Sequence, residues 1–109
     1  MTVQEAAAKC GFEIAAGDNA LSREITGIYC CDLLSFAMGR APEGSAWITV
    51  MGNMNSVAVA SLADVACIVL CDGVRPDDEM MKKARQQDIA LLLSGLPAFE
   101  TGKMIFDLL

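Results

Sequence analysis

Histidine is absent from the 109 residues. That absence removes Ser-His triads, Cys-His dyads, imidazole general bases and His metal ligands in one stroke. The glycine-rich phosphate loops are missing as well: no G-x-x-x-x-G-K-[ST] occurs, and no G-x-G-x-x-G follows a strand, so a nucleotide-hydrolysing domain of that kind is not encoded. Positive charge is scarce. Eight Lys and Arg face 14 Asp and Glu, a net charge of −6, and such a field repels nucleic-acid backbones and anionic lipid. The one basic cluster, Lys82, Lys83 and Arg85, is too small for a nucleic-acid footprint and reads as a solvated helix face. Neither nucleic acid nor membrane is an expected partner.

No disulfide framework is visible either. The five cysteines are an odd number, Cys30 and Cys31 are adjacent, and no C-x-x-C pair suggests a metal or redox site. The first residues carry Glu5 and Lys9 rather than an apolar signal core, so reduced thiols in a cytoplasmic protein are expected. Residues Gly44 to Ala63 carry no charge, but Ser45, Thr49, Asn53, Asn55, Ser56 and Ser61 make the stretch too polar for an isolated helix in lipid. It divides better into a strand and a helix.

What the chain has in abundance is apolar surface, 54% of its residues by count. Size scaling buries about 65% of the extended chain's surface, enough for one self-supporting domain over residues 1–109. Thr2 and Glu5 form a capping box for a helix to about Cys10, Gly11 can stop it in a left-handed conformation, and Phe12 to Ala16 reads as a strand before the turn Gly17-Asp18-Asn19. Glu24 to Cys31 is rich in β-formers, and Asp32 is placed to cap a helix Leu33 to Gly39. Three strand-helix units follow: Ala46–Met51 with Met54–Ala63, Val65–Cys71 with a helix from about Asp77 to Gln87, and Ile89–Leu93 with Ala98–Leu108. This order predicts an α/β fold, a three-layer α/β/α sandwich around a mainly parallel or mixed sheet of four to five strands.

The helix Met54–Ala63 is apolar almost all round. It is therefore buried on more than one side, either inside its own fold or against a second subunit. Met54, Val57, Val59 and Leu62 are the candidate homodimer face, with docking of another protein as the alternative. Ligands of such sheets bind beyond the carboxyl ends of the strands. Three loops are expected there, carrying Asn53 and Asn55, Asp72, Gly73 and Arg75, and Ser94. Arg75 can hold a phosphate bidentately or pair with Asp72 or Asp78. All of these are also ordinary turn and cap residues.

The run Leu21-Ser22-Arg23-Glu24-Ile25-Thr26-Gly27-Ile28, followed by Asp32-Leu33-Leu34-Ser35, resembles the DRTGG domain family. Trp47-Ile48-Thr49, Asn55 with Val57-Ala58-Val59-Ala60, Gly73 with Pro76-Asp77, and Ala98-Phe99-Glu100 continue the resemblance over nearly the whole chain. It departs at Ser22, where the motif has Asp, at Ile28, where it has a second Gly, and at Asn53, where standalone members carry His. The resemblance implies an α/β/α sandwich like the N-terminal domain of HPr kinase/phosphorylase, in a module that is regulatory or structural and found beside CBS domains or in phosphotransacetylase-like proteins. It implies that Arg23, Thr26 and Gly27 form the named motif, with Asp32, Thr49, Asn55 and Gly73 around the same end of the sheet. The expectation is a non-catalytic regulatory module without a cofactor or metal, binding a small anionic metabolite or nucleotide as a homodimer. The alternative is an interaction module with no small-molecule ligand.

Overall fold

The computed structural model describes all residues 1–109. Five strands, β1 (Glu13–Ala16), β2 (Gly27–Cys30), β3 (Ser45–Thr49), β4 (Cys67–Leu70) and β5 (Ala90–Leu93), form one sheet in the order β1-β5-β4-β3-β2. β2 to β5 are parallel and β1 joins β5 antiparallel, so the sheet is mixed. Five helices accompany it: α1 (Val3–Cys10), α2 (Leu34–Arg40), α3 (Met54–Ala63), α4 (Asp78–Gln87) and α5 (Ala98–Phe106).

The alternating side chains of the parallel strands divide the core into two apolar layers. On one face Ala46, Ile48, Cys67, Val69, Ala90 and Leu92 meet Val3 and Ala6 of α1 and Ile105 of α5. On the other, Trp47, Ile68, Leu70, Leu91 and Leu93 meet Ala37 of α2, Val57 and Ala60 of α3, and Met80 and Ala84 of α4. Every residue of β3, β4 and β5 is buried. The expected three-layer sandwich is what the chain forms.

Several local expectations hold with their mechanism. Thr2 and Glu5 make the reciprocal capping box, and Gly11 ends α1 at φ 73°. Gly17 sits at φ 89°, and a Cβ there would lie 2.3 Å from the Ala90 Cα, so only glycine lets this turn cross β5.

The dimer face expected on α3 needs correction. Val57 and Val59 are buried in the chain's own core, because α3 lies between α2 and α4 against the sheet. Met54 and Leu62 are the exposed remainder. Asp32 is corrected too: Leu33 is the N-cap of α2, and no side chain caps that helix.

Candidate functional site

The structure separates the sequence-predicted site residues into two groups at opposite ends of the sheet. Arg23, Thr26 and Gly27 precede or begin β2 and so lie at the amino end of the parallel strands. Thr49 ends β3, Asp32, Asn53, Asn55, Asp72, Gly73, Arg75 and Ser94 follow strands, and all of them lie at the carboxyl end. The motif and the other residues expected around it therefore do not share one end.

At the amino end the Arg23 and Thr26 side chains are both engaged within the fold. Arg23 donates to Asp64 Oδ1 at 2.7 Å and to the Asp64 carbonyl at 3.1 Å. Those hydrogen bonds hold the Asp64 carboxyl below its usual range. The Thr26 hydroxyl donates to the Glu43 carbonyl at 3.2 Å, and its N–H to the Gly44 carbonyl at 2.9 Å. Gly44 itself stands at φ 77° under the Thr26 hydroxyl, where a Cβ would come within 2.7 Å. These residues tie the entry to β2 against the entry to β3.

At the carboxyl end Asp32 performs a similar task. Its Oδ1 accepts from Thr49 Oγ1 at 2.8 Å and from the Val50 N–H at 2.9 Å, locking the exit of β2 to that of β3. Asn53 caps α3 by accepting from the Asn55 N–H at 3.0 Å. Ser94 is buried and spent, since its hydroxyl meets Thr101 Oγ1 at 2.8 Å and accepts from the Leu96 N–H.

A concave edge survives beside these locks. Asp72 and Gly73 take φ values of 58° and 72°, and the Val74 N–H returns to the Cys71 carbonyl at 3.1 Å, a tight turn of the I′ kind. The Asp72 and Gly73 N–H groups bind the Leu96 and Ser94 carbonyls, which joins the loop after β4 to the loop after β5. Gly52 completes the arrangement, because a Cβ there would stand 3.0 Å from the Arg75 carbonyl. The hollow between them is about 220 Å³ and includes Glu13, Gly73, Arg75, Ser94 and Gly95 in its lining.

Arg75 is the cation of this hollow. It pairs with neither Asp72 nor Asp78 but with Glu13 Oε2 at 3.2 Å, and both partners are well exposed. The backbone N–H groups of Gly95 and Arg75 donate to no protein acceptor, and Pro97, the N-cap of α5, supplies no side-chain cap. The start of α4 is different. Asp77 occupies it by accepting from the Met80 N–H at 2.8 Å. Glu13 escaped the sequence reading because it enters with β1, 62 residues from Arg75, and antiparallel docking of that strand leaves no local signal.

Three of the thiols are poor nucleophiles. Burial and then the Asp72 carboxylate push Cys71 up to about 11, and burial takes Cys67 to about 12. Cys30 is raised by burial and by Asp32. A second hollow, of about 330 Å³ and almost wholly apolar, lies between β2 and α5 along Ile28, Cys30, Phe99, Gly102 and Phe106. It contains none of the residues expected to bind a ligand.

No curated protein matches the chain. Among solved structures, the chain is similar to the crystal structure of the CBS and DRTGG domains of the regulatory region of Clostridium perfringens pyrophosphatase, complexed with its activator diadenosine tetraphosphate. The TM-score is 0.76 at 12% identity, with 95% of this chain and 45% of that chain covered. The chain thus spans less than half of that regulatory region. The family model of the DRTGG domain matches residues 5–108. The chain belongs to the DRTGG domain family.

Proposed function

We propose that this domain is a non-catalytic regulatory module, acting as a homodimer, that takes a small anionic metabolite or nucleotide at the loop edge after β4 and β5. The observation that carries this reading is Arg75, set at a hollow with the two free N–H groups of Gly95 and Arg75. Its present partner is easily exchanged, since an ion pair exposed at both ends contributes about 0 to 1 kcal/mol, whereas a phosphate accepts from the guanidinium bidentately. The hollow of about 220 Å³ has room for a phosphate group. The rest of a ligand would extend over the exposed Asp72-Gly73 turn and Leu96.

The DRTGG neighbour in the pyrophosphatase belongs to a regulatory region whose activator is diadenosine tetraphosphate, which supports a regulatory role and makes nucleotide polyphosphates the first ligands to try. A thermal-shift panel of adenine and guanine nucleotides, diadenosine tetraphosphate, acetyl phosphate and pyrophosphate tests the reading. A ligand at 100 times its Kd adds about 2.7 kcal/mol, a rise of about 12 °C for a domain of this size. The shift should vanish in Arg75→Ala and grow in Glu13→Gln, which removes the competing carboxylate. A flat panel refutes the ligand-binding reading and favours the interaction module, for which the apolar hollow at β2 and α5 is the supporting feature.

A further inference from the structure

The apolar trough between β2 and α5 has a form that suits a second copy of this chain. Phe99, Gly102 and Phe106 recur at spacings of three and four on α5, so they share one flank of the helix. Gly102 makes the floor. A Cβ there would lie 3.2 Å from Ile48 Cδ1 and 3.3 Å from Ile28 Cδ1, so glycine lets the helix approach the sheet closely. Phe99 and Phe106 stand on either side, 74% and 63% exposed, and Ile28 and Cys30 of the edge strand form the far wall.

Two features select the occupant. A knob and a hole lie on the same face, the exposed Phe99 ring beside the hollow over Gly102, and this self-complementarity is what a two-fold interface requires. The charges agree with it. Lys103 and Asp107, the only ionisable lysine and carboxylate of the trough, pair at 2.6 Å across one helical turn, so this face is neutral on a chain of net charge −6. Two such acidic chains can approach here without setting like charges against each other, and Lys103 of each can exchange to the partner's carboxylate.

The exposed phenylalanines supply the apolar centre of such an interface. At about 200 Å² for a whole aromatic side chain, the two phenylalanines present roughly 270 Å² of apolar surface, about a third of the 800 Å² or so that each partner contributes to a stable interface. The open edge of β2, the Lys103 stem and the β2 side chains adjoin that patch.

We infer that the homodimer forms through this α5–β2 face about a two-fold axis, with Phe99 of each chain seated in the trough of the other. The inference rests on the homodimer reading above and moves the interface from α3 to α5. It is tested by sedimentation velocity from 1 to 500 µM, with the rate at which a maleimide labels Cys30 measured in parallel. The expected result is a species of twice 11.5 kDa, Cys30 labelling that slows as the dimer fills, and at least a tenfold weaker dimer in Phe99→Glu and in Phe106→Glu with unchanged circular dichroism. A monomer at every concentration overturns the inference and the homodimer together, leaving the trough to an unlike partner. A dimer that survives both substitutions overturns the interface alone. Should the variants fail to fold, wild-type Cys30 decides: a concentration-dependent slowing supports the interface, and unchanged labelling overturns it. Binding of pyrophosphate at Arg75, read by calorimetry on the same samples, is a property of each chain and separates these outcomes from failure of the ligand site.

Discussion

Replacing Asp32 should loosen the carboxyl end of the sheet without unfolding α2. Its Oδ1 accepts from Thr49 Oγ1 at 2.8 Å and from the Val50 N–H at 2.9 Å. Hydrogen bonds to a charged acceptor contribute about 1.5 to 3 kcal/mol each when buried, but Asp32 is exposed, so the lower end applies and is further reduced by water replacing the lost acceptor. For Asp32→Ala this gives about 2 kcal/mol. With about 2.1 cal/mol/K of unfolding entropy per residue, 109 residues translate that into a fall in Tm of about 9 °C. Asp32→Asn keeps a neutral acceptor and should lose about half as much. The cycle with Thr49→Val isolates the side-chain pair, whose coupling should be about 1 kcal/mol in urea unfolding. Additive single effects within about 0.3 kcal/mol would refute the Asp32–Thr49 share of the link between β2 and β3.

Three further outcomes follow from burial and charge. Val59 is 4% exposed between α3 and its neighbours, so Val59→Glu should leave no cooperative melting transition, because an unpaired buried carboxylate costs more than a small domain's stability can offset; a folded monomer would restore α3 as an interface. Arg23 lowers the Asp64 pKa, so the pair's contribution, about 0.5 to 1 kcal/mol at this exposed position, is complete above the unfolded aspartate value near 3.9 and is lost as pH falls through the depressed folded value. The stability gap between wild type and Arg23→Ala should therefore be constant from pH 5 to 7 and close below about pH 4 in chemical denaturation series. Cys67 near 12 and Cys71 near 11 are buried thiols, so a disulfide reagent at pH 8 should titrate at most the other three of the five in native protein and all five in denaturant.

Most of the fold could be read from local signals. The capping box at Thr2 and Glu5, the left-handed Gly11, the Asn53 cap and the continuous apolar run around β4 are each decided by neighbours in sequence, and each formed as expected. The α3 helix shows the limit of such signals. An all-round apolar pattern says that two sides are covered, but only the packing of α2 and α4 shows that the cover is the chain itself. The candidate site was legible in its parallel loops, where Gly73, Arg75 and Ser94 did converge. It was not legible in Glu13, which arrives through an antiparallel edge pairing, nor in Asp32, whose acceptor role depends on a strand 17 residues away. The motif residues Arg23 and Thr26 carry recognisable sequence, yet their hydrogen bonds are consumed by Asp64 and Glu43. Nor does the spacing of Phe99 and Phe106 tell which flank of α5 overhangs the sheet edge.

The most direct test of the ligand site is a proton–nitrogen correlation titration with pyrophosphate and with diadenosine tetraphosphate, following the backbone amides of Gly73, Arg75 and Gly95. The account predicts saturable shifts confined to these loops and the Glu13 neighbourhood, abolished in Arg75→Ala and strengthened in Glu13→Gln. Shifts that instead centre on Arg23, Thr26 and Gly27, or a spectrum unmoved at millimolar ligand, would contradict it.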